Sequence, residues 1–114
     1  GGFHSPFMAE AADAFGEVLA DAEIGEAEIP VYSNRTALPY EGDYRNLLQE
    51  QIANPIRWKN LIEHMIEEGA DTFIELGPGT ALTKMITRIS KDVTMLNVGD
   101  VESLENTIER MSEC

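Results

Sequence analysis

Thr72-Phe73-Ile74-Glu75-Leu76-Gly77-Pro78-Gly79-Thr80-Ala81-Leu82 is the stretch that decides the fold. Thr72 to Leu76 reads as a short strand, and Gly77-Pro78-Gly79 as a tight turn. Leu82, Met85, Ile86 and Ile89 then recur at helical spacing. Strand, turn and helix in that order form the start of a parallel crossover. Downstream the pattern repeats, with a strand over Val93 to Val98 and a helix marked by Leu104, Ile108 and Met111. Upstream, Trp58, Leu61, Ile62, Met65 and Ile66 make a helical apolar stripe that stops at Gly69. Before it lie a helix from Tyr44 to Gln51, interrupted at Asn54-Pro55, and a turn-rich stretch from Leu38 to Asp43. Ile29 to Ser33 reads as a strand ending at Asn34. The first helix is expected to start with Ser5 as N-cap and Pro6 at its first position, with Met8, Ala11, Ala12, Phe15, Val18 and Leu19 on one face at helical spacing.

Alternating helices and strands imply an α/β fold with a parallel sheet covered on both faces. Three strands are too few for that architecture, because such a sheet leaves long unprotected edges. The sheet is therefore expected to be incomplete within this chain, which has no repeats and no low-complexity segments.

At 114 residues the chain is of ordinary single-domain size, and 43% hydrophobic with 25% charged residues is a globular balance. Its 21 acidic against 8 basic residues give a net charge of −13. Such a surface repels phosphate backbones and anionic lipid, which argues against nucleic acid and membranes as partners. An anionic ligand such as a coenzyme A phosphate would need a basic pocket from elsewhere. One cysteine, Cys114, leaves no internal disulfide and no cysteine-rich metal site, and two separated histidines make no metal site either. No apolar run approaches membrane-span length and no secretory pattern opens the chain, so the composition points to a cytoplasmic domain with no cofactor.

His4 stands directly before the expected helix start, where the partial positive charge of the N-terminus favours a neutral imidazole, the form a general base needs. The bland alternative is a histidine that only packs or caps. Ser5 is a poor nucleophile for it, since neighbouring side chains diverge, and no G-x-S-x-G turn exists. Gln51 matters because of Pro55. In a helix the residue-51 carbonyl accepts from the N–H of residue 55, and proline has none. A carbonyl so freed can accept a ring N–H of a catalytic histidine and fix its tautomer, or it can be met by water or a tightened last turn. Gly77-Pro78-Gly79 joins strand to helix as anion-binding loops do, but lacks the length and lysine of a P-loop; a plain turn is the simpler reading. Lys84, Arg88 and Lys91 form a basic stripe on an acidic chain, suited either to a solvated helix end or to docking an acidic protein. His64 falls off its helix's apolar face and reads as a surface residue. The acidic residues from Glu10 to Glu28 read as solvated helix surface.

Four segments together resemble the C-terminal part of the malonyl-CoA:acyl carrier protein transacylase family. They are Gly2-Phe3-His4-Ser5-Pro6-Phe7-Met8, Ile29-Pro30-Val31-Tyr32-Ser33-Asn34, Gln51-Ile52-Ala53-Asn54-Pro55-Ile56-Arg57-Trp58 and Glu75-Leu76-Gly77-Pro78-Gly79-Thr80-Ala81-Leu82. They occur in family order and span nearly the whole chain, and the first and third are specific as a pair. The resemblance implies that residues 1–114 are the C-terminal portion of an acyltransferase catalytic domain with an α/β-hydrolase-like core. The nucleophilic serine in its G-H-S-x-G elbow, the malonate-binding arginine, the oxyanion-hole residues and a ferredoxin-like subdomain would all lie upstream.

The implied activity is transfer of malonyl from malonyl-CoA to the phosphopantetheine thiol of acyl carrier protein through a serine acyl-enzyme, in fatty acid biosynthesis. His4 would be the base, and Gln51 would orient it through its main-chain carbonyl. Phe3 implies malonyl over methylmalonyl: in related polyketide acyltransferases Phe precedes the histidine of malonyl enzymes, and Ser that of methylmalonyl enzymes. Crowding an extra methyl costs about 1–3 kcal/mol. Lys84, Arg88 and Lys91 would serve carrier docking. The partners implied are malonyl-CoA, acyl carrier protein and the N-terminal part of the same enzyme, without which this chain is expected to be inactive. A discrete acyltransferase of a polyketide synthase has the same residues, and an acidic flavodoxin-like binding module is the non-catalytic alternative.

Overall fold

The quoted segment folds as strand β1 (Thr72–Leu76), a turn, and helix α4 (Ala81–Ile89), in a computed structural model that describes residues 1–113. Before β1 come α1 (Ala9–Asp21), α2 (Tyr44–Ala53) and α3 (Trp58–Glu67); after α4 come β2 (Thr94–Val98) and α5 (Val101–Ser112). Two units make up the chain, residues 1–64 and the residues from Met65 onward. Cys114 lies outside the described residues.

In the second unit β1 and β2 run parallel, with Ile74 opposite Leu96. They are joined by α4, so the crossover expected from the sequence is present. Gly77 and Gly79 have φ of +125° and +87°, which side-chain-bearing residues rarely adopt. Their freedom lets the chain reverse from β1 into α4 while the Gly77 N–H still donates to the Val98 carbonyl (2.8 Å). Ile86 and Leu96 are buried here.

The helix that Leu104, Ile108 and Met111 mark is present as α5, with these three side chains exposed and Thr107 buried, its hydroxyl donating to the Asn97 carbonyl (3.0 Å). Leu76, 77% exposed, leaves apolar area open on β1 as well.

The first unit departs from expectation at two places. Ile29 to Ser33 is not a strand of the parallel sheet, which has two strands among the described residues rather than three. The chain instead turns back on itself. Ser33 donates to the Leu38 carbonyl (2.9 Å) and Tyr40 to that of Val31 (2.8 Å), leaving one antiparallel bridge between Tyr32 and Pro39. Pro30 and Pro39 lack the N–H groups a longer ladder needs. Two paired strands do not make the doubly wound sheet of a flavodoxin-like module.

The second departure is the helix start. Pro6–Met8 is a single 3₁₀ turn, α1 begins at Ala9, and the Ser5 hydroxyl donates to the Gly2 carbonyl instead of capping. Ser5 does hold the N-cap position of that turn, with the extended backbone usual there (φ −141°, ψ 168°) and Pro6 first, so the departure is in the hydroxyl's partner and the later start of the α-helix. Of the six expected α1 positions, Ala12 and Leu19 are buried, whereas Val18 is exposed. Leu61, Ile62, Ala37 and Ser33 are also buried in this unit.

Candidate functional site

α2 ends where the sequence says it must. Asn54 is extended (φ −126°, ψ 153°) ahead of Pro55, so the last carbonyls of α2 have no main-chain partner further along the helix. Three of them, at Glu50, Gln51 and Ile52, meet a donor elsewhere. The Glu50 carbonyl accepts from the Asn54 side-chain amide (2.7 Å). The Gln51 carbonyl lies 2.8 Å from Nδ1 of His4, and the Ile52 carbonyl accepts from the His4 main-chain N–H (3.1 Å). His4 is thus held twice at the end of a helix 47 residues away in sequence.

The chemistry of that contact follows from the acceptor. A carbonyl oxygen can only accept, so Nδ1 carries the proton in this bond. In the neutral ring Nε2 is then the nitrogen with a lone pair, and it has no hydrogen-bond partner among the described residues. His4 is half-buried and has φ +58°, a left-handed conformation uncommon for histidine. Such a backbone persists where surrounding bonds over-determine it, and the two bonds to α2 do so here. Phe3 beside it is 71% exposed, and Phe7 is exposed as well.

A turn that sequence reasoning treated only as a strand end meets the same helix end. The Asn34 side-chain amide donates to Oε1 of Gln51 (3.4 Å), and Arg35 pairs with Glu50 (3.5 Å). The turn is fastened to the start of α3: the Arg57 N–H donates to the Asn34 carbonyl (3.1 Å), and its guanidinium to the Thr36 carbonyl (3.2 Å). His64 is not the free surface residue expected. It is half-buried, with Nδ1 donating to the carbonyl of fully buried Ala37 (2.8 Å). No signal in the sequence pairs 37 with 64, because the bond depends on a tertiary turn.

The second unit holds the remaining candidates. The N-terminus of α4 after Gly77-Pro78-Gly79 is filled by the chain's own Glu75. Its carboxylate accepts from the N–H groups of Leu82 (3.2 Å) and Thr83 (2.8 Å) and from the Thr83 hydroxyl (2.6 Å). The Thr83 hydroxyl, then the Thr83 N–H, hold the Glu75 carboxyl below the ordinary carboxylate range, against a smaller opposing desolvation. This occupied helix end leaves the turn as a structural element. Lys84 and Arg88 are exposed on α4, whereas Lys91 lies beyond the end of the helix at Ile89. The basic stripe is therefore two residues of helix and one of loop. No cluster of metal-ligating side chains occurs among the described residues, and no helix there is long and apolar enough to cross a membrane.

No family model matches the chain. A curated relative, malonyl CoA-acyl carrier protein transacylase of Bacillus subtilis (strain 168), is 36% identical over 115 residues, covering 99% of this chain and 36% of its own. The crystal structure of malonyl CoA-acyl carrier protein transacylase from Clostridium perfringens superposes with a TM-score of 0.93 at 39% identity, over 97% of this chain and 36% of that one. A malonyl-transacylase solved in complex with a type II PKS acyl-carrier protein gives a TM-score of 0.89 at 32% identity, over 95% of this chain and 36% of its own. The chain spans 36% of the length of the curated relative and of these two neighbours. In sequence and in fold it is similar to a segment of the malonyl CoA-acyl carrier protein transacylases.

Proposed function

We propose that residues 1–114 are the C-terminal portion of a malonyl acyltransferase catalytic domain, and that His4 is its general base. The contact of His4 Nδ1 with the Gln51 carbonyl carries this reading, because it presents a lone pair at Nε2. In the complete enzyme a serine on the preceding part of the polypeptide attacks the thioester carbonyl of malonyl-CoA while Nε2 takes its proton. Collapse of the tetrahedral intermediate breaks the carbon–sulfur bond, and His4 returns the proton to the coenzyme A thiolate. The second half runs the same steps in reverse, with the phosphopantetheine thiol of acyl carrier protein attacking the malonyl-serine. Gln51 keeps the ring in one tautomer throughout, as the carboxylate does in a Ser-His-Asp triad. Phe3 would crowd a methylmalonyl group, and Lys84, Arg88 and Lys91 supply cations for an acidic carrier on a chain of net charge −13. The exposed apolar side chains of β1 and α5 are the faces that the rest of the domain would cover. The enzyme would act in the cytoplasm, in fatty acid synthesis; which carrier protein it acylates separates that role from polyketide supply.

The test is malonyl transfer from malonyl-CoA to acyl carrier protein by the complete enzyme and its His4→Ala variant. Turnover should fall by at least about a hundredfold, the lower range for loss of a general base, with the fold unchanged. The 114-residue chain alone should give none. Reversing charge at Lys84 and Arg88 should raise KM for the carrier and leave loading from malonyl-CoA unchanged. Near-normal transfer by His4→Ala would end the proposal.

A further inference from the structure

Asn34 touches both sides of the Pro55 break. Its side chain donates to Gln51 Oε1 on the last turn of α2, and its main-chain carbonyl accepts from the Arg57 N–H one residue before α3. Between these two points the chain runs through Asn54-Pro55-Ile56 without a helix. The position of the Gln51 carbonyl depends on how that break is held, since no residue-55 N–H fixes it. The turn that carries Asn34 is itself rigidly tied. Ser33 is fully buried, its hydroxyl accepts from the Arg35 N–H (3.1 Å), and the Ala37 N–H returns to its carbonyl (2.8 Å). Arg57 and His64 fasten the far side of the turn through the Thr36 and Ala37 carbonyls.

We infer that Asn34 is a positioning residue for His4: by bridging Gln51 and Arg57 across the Pro55 break, it holds the Gln51 carbonyl in place for the ring Nδ1–H. The inference rests on the function proposed above for its catalytic meaning, but the bond it concerns can be read without any substrate. Asn34 does not touch the reacting atoms. It acts through Gln51, and only its side-chain amide is at issue, because its carbonyl survives any substitution.

The experiment uses the complete enzyme with ¹⁵N-labelled histidine and no substrate, reading the tautomer of His4 and the solvent exchange of its Nδ1–H by NMR. Asn34→Ala should raise that exchange by about three- to tenfold, the range one neutral hydrogen bond sets, and move the ring toward a tautomer mixture. Gln51→Met approaches the same contact from the other side and leaves the Asn34–Arg57 bond intact; it should give a similar change. The double variant should be no worse than either single one. Asn34→Asp should restore the native tautomer, since the Gln51 amide can turn to donate to a carboxylate. In the complete enzyme Asn34→Ala should lower kcat by about three- to tenfold with KM for malonyl-CoA nearly unchanged. Unchanged Nδ1–H exchange in Asn34→Ala would overturn the inference, as would additive effects in the double variant. Normal turnover by His4→Ala would instead overturn the proposed function and leave the NMR result standing.

Discussion

Replacing Pro55 by alanine tests whether the proline is what gives His4 its acceptor. With Pro55, Asn54 is confined to extended backbone and α2 ends at Ala53. Alanine lifts that restriction and supplies an N–H, so α2 can run on and the new donor competes with His4 Nδ1 for the Gln51 oxygen. The effects on stability cancel only in part. An added backbone bond contributes about 1 kcal/mol, but it displaces the His4 bond at the same oxygen, which costs about as much, and surrendering the Arg57-to-Asn34 bond costs about 1 kcal/mol more. The Asn54 side-chain bond to the Glu50 carbonyl is exchanged for a main-chain bond to the same oxygen. A freer unfolded chain costs about 0.4–1 kcal/mol.

The net change is a loss of about 1.4–2 kcal/mol, a drop of about 6–16 °C in Tm for a domain this size. His4 fares differently, because the Gln51 carbonyl is its only side-chain partner among the described residues. Losing it leaves the ring free to turn and to exchange tautomers, and transfer by the complete enzyme should fall about tenfold, equivalent to about 1.4 kcal/mol. Thermal melts by circular dichroism and malonyl transfer assays separate the two effects. Unchanged transfer would refute the reasoning. A collapse of Tm by more than about 25 °C would also refute it, showing that Pro55 serves the fold and not the histidine.

Two further outcomes are expected. Glu75 has its carboxyl held low in the folded chain, so its contribution is fully present above the unfolded carboxylate value and is lost as pH falls through the folded one. Melts of wild type and Glu75→Gln should therefore differ at neutral pH and converge as the pH falls below the ordinary carboxylate range, and a gap that stays equal across that fall would contradict the assignment. Ile62 is 1% exposed, and Ile62→Ala should cost about 2–5 kcal/mol in urea denaturation. A loss under about 1 kcal/mol would mean the side chain is not packed as described.

The parts of this chain that the sequence makes legible are those fixed by covalent or strictly local facts. A proline without an N–H frees the carbonyl four residues before it, whatever the tertiary structure, and His4 Nδ1 lies 2.8 Å from that carbonyl. Glycines at 77 and 79 mark the only kind of turn that can pass from β1 into α4 so tightly. The misreadings have one origin. Ile29 to Ser33 has the composition of a strand, but whether it joins a sheet or folds back on residues 38–40 is decided by what lies beside it.

His64 and Asn34 carry no local signal, because their partners at residues 37 and 51 are brought close by the 33–37 turn. Ser5 shows the two kinds of fact in competition. Its type and position suit an N-cap, and its backbone is extended as a cap's is, but its hydroxyl donates to the Gly2 carbonyl and the α-helix starts four residues later. His4 lies just outside any helix, in the left-handed region, where its N–H and its ring both meet the end of α2. The contact thus rests on both partners: a left-handed backbone turns the histidine toward α2, and Pro55 leaves it a carbonyl to bind.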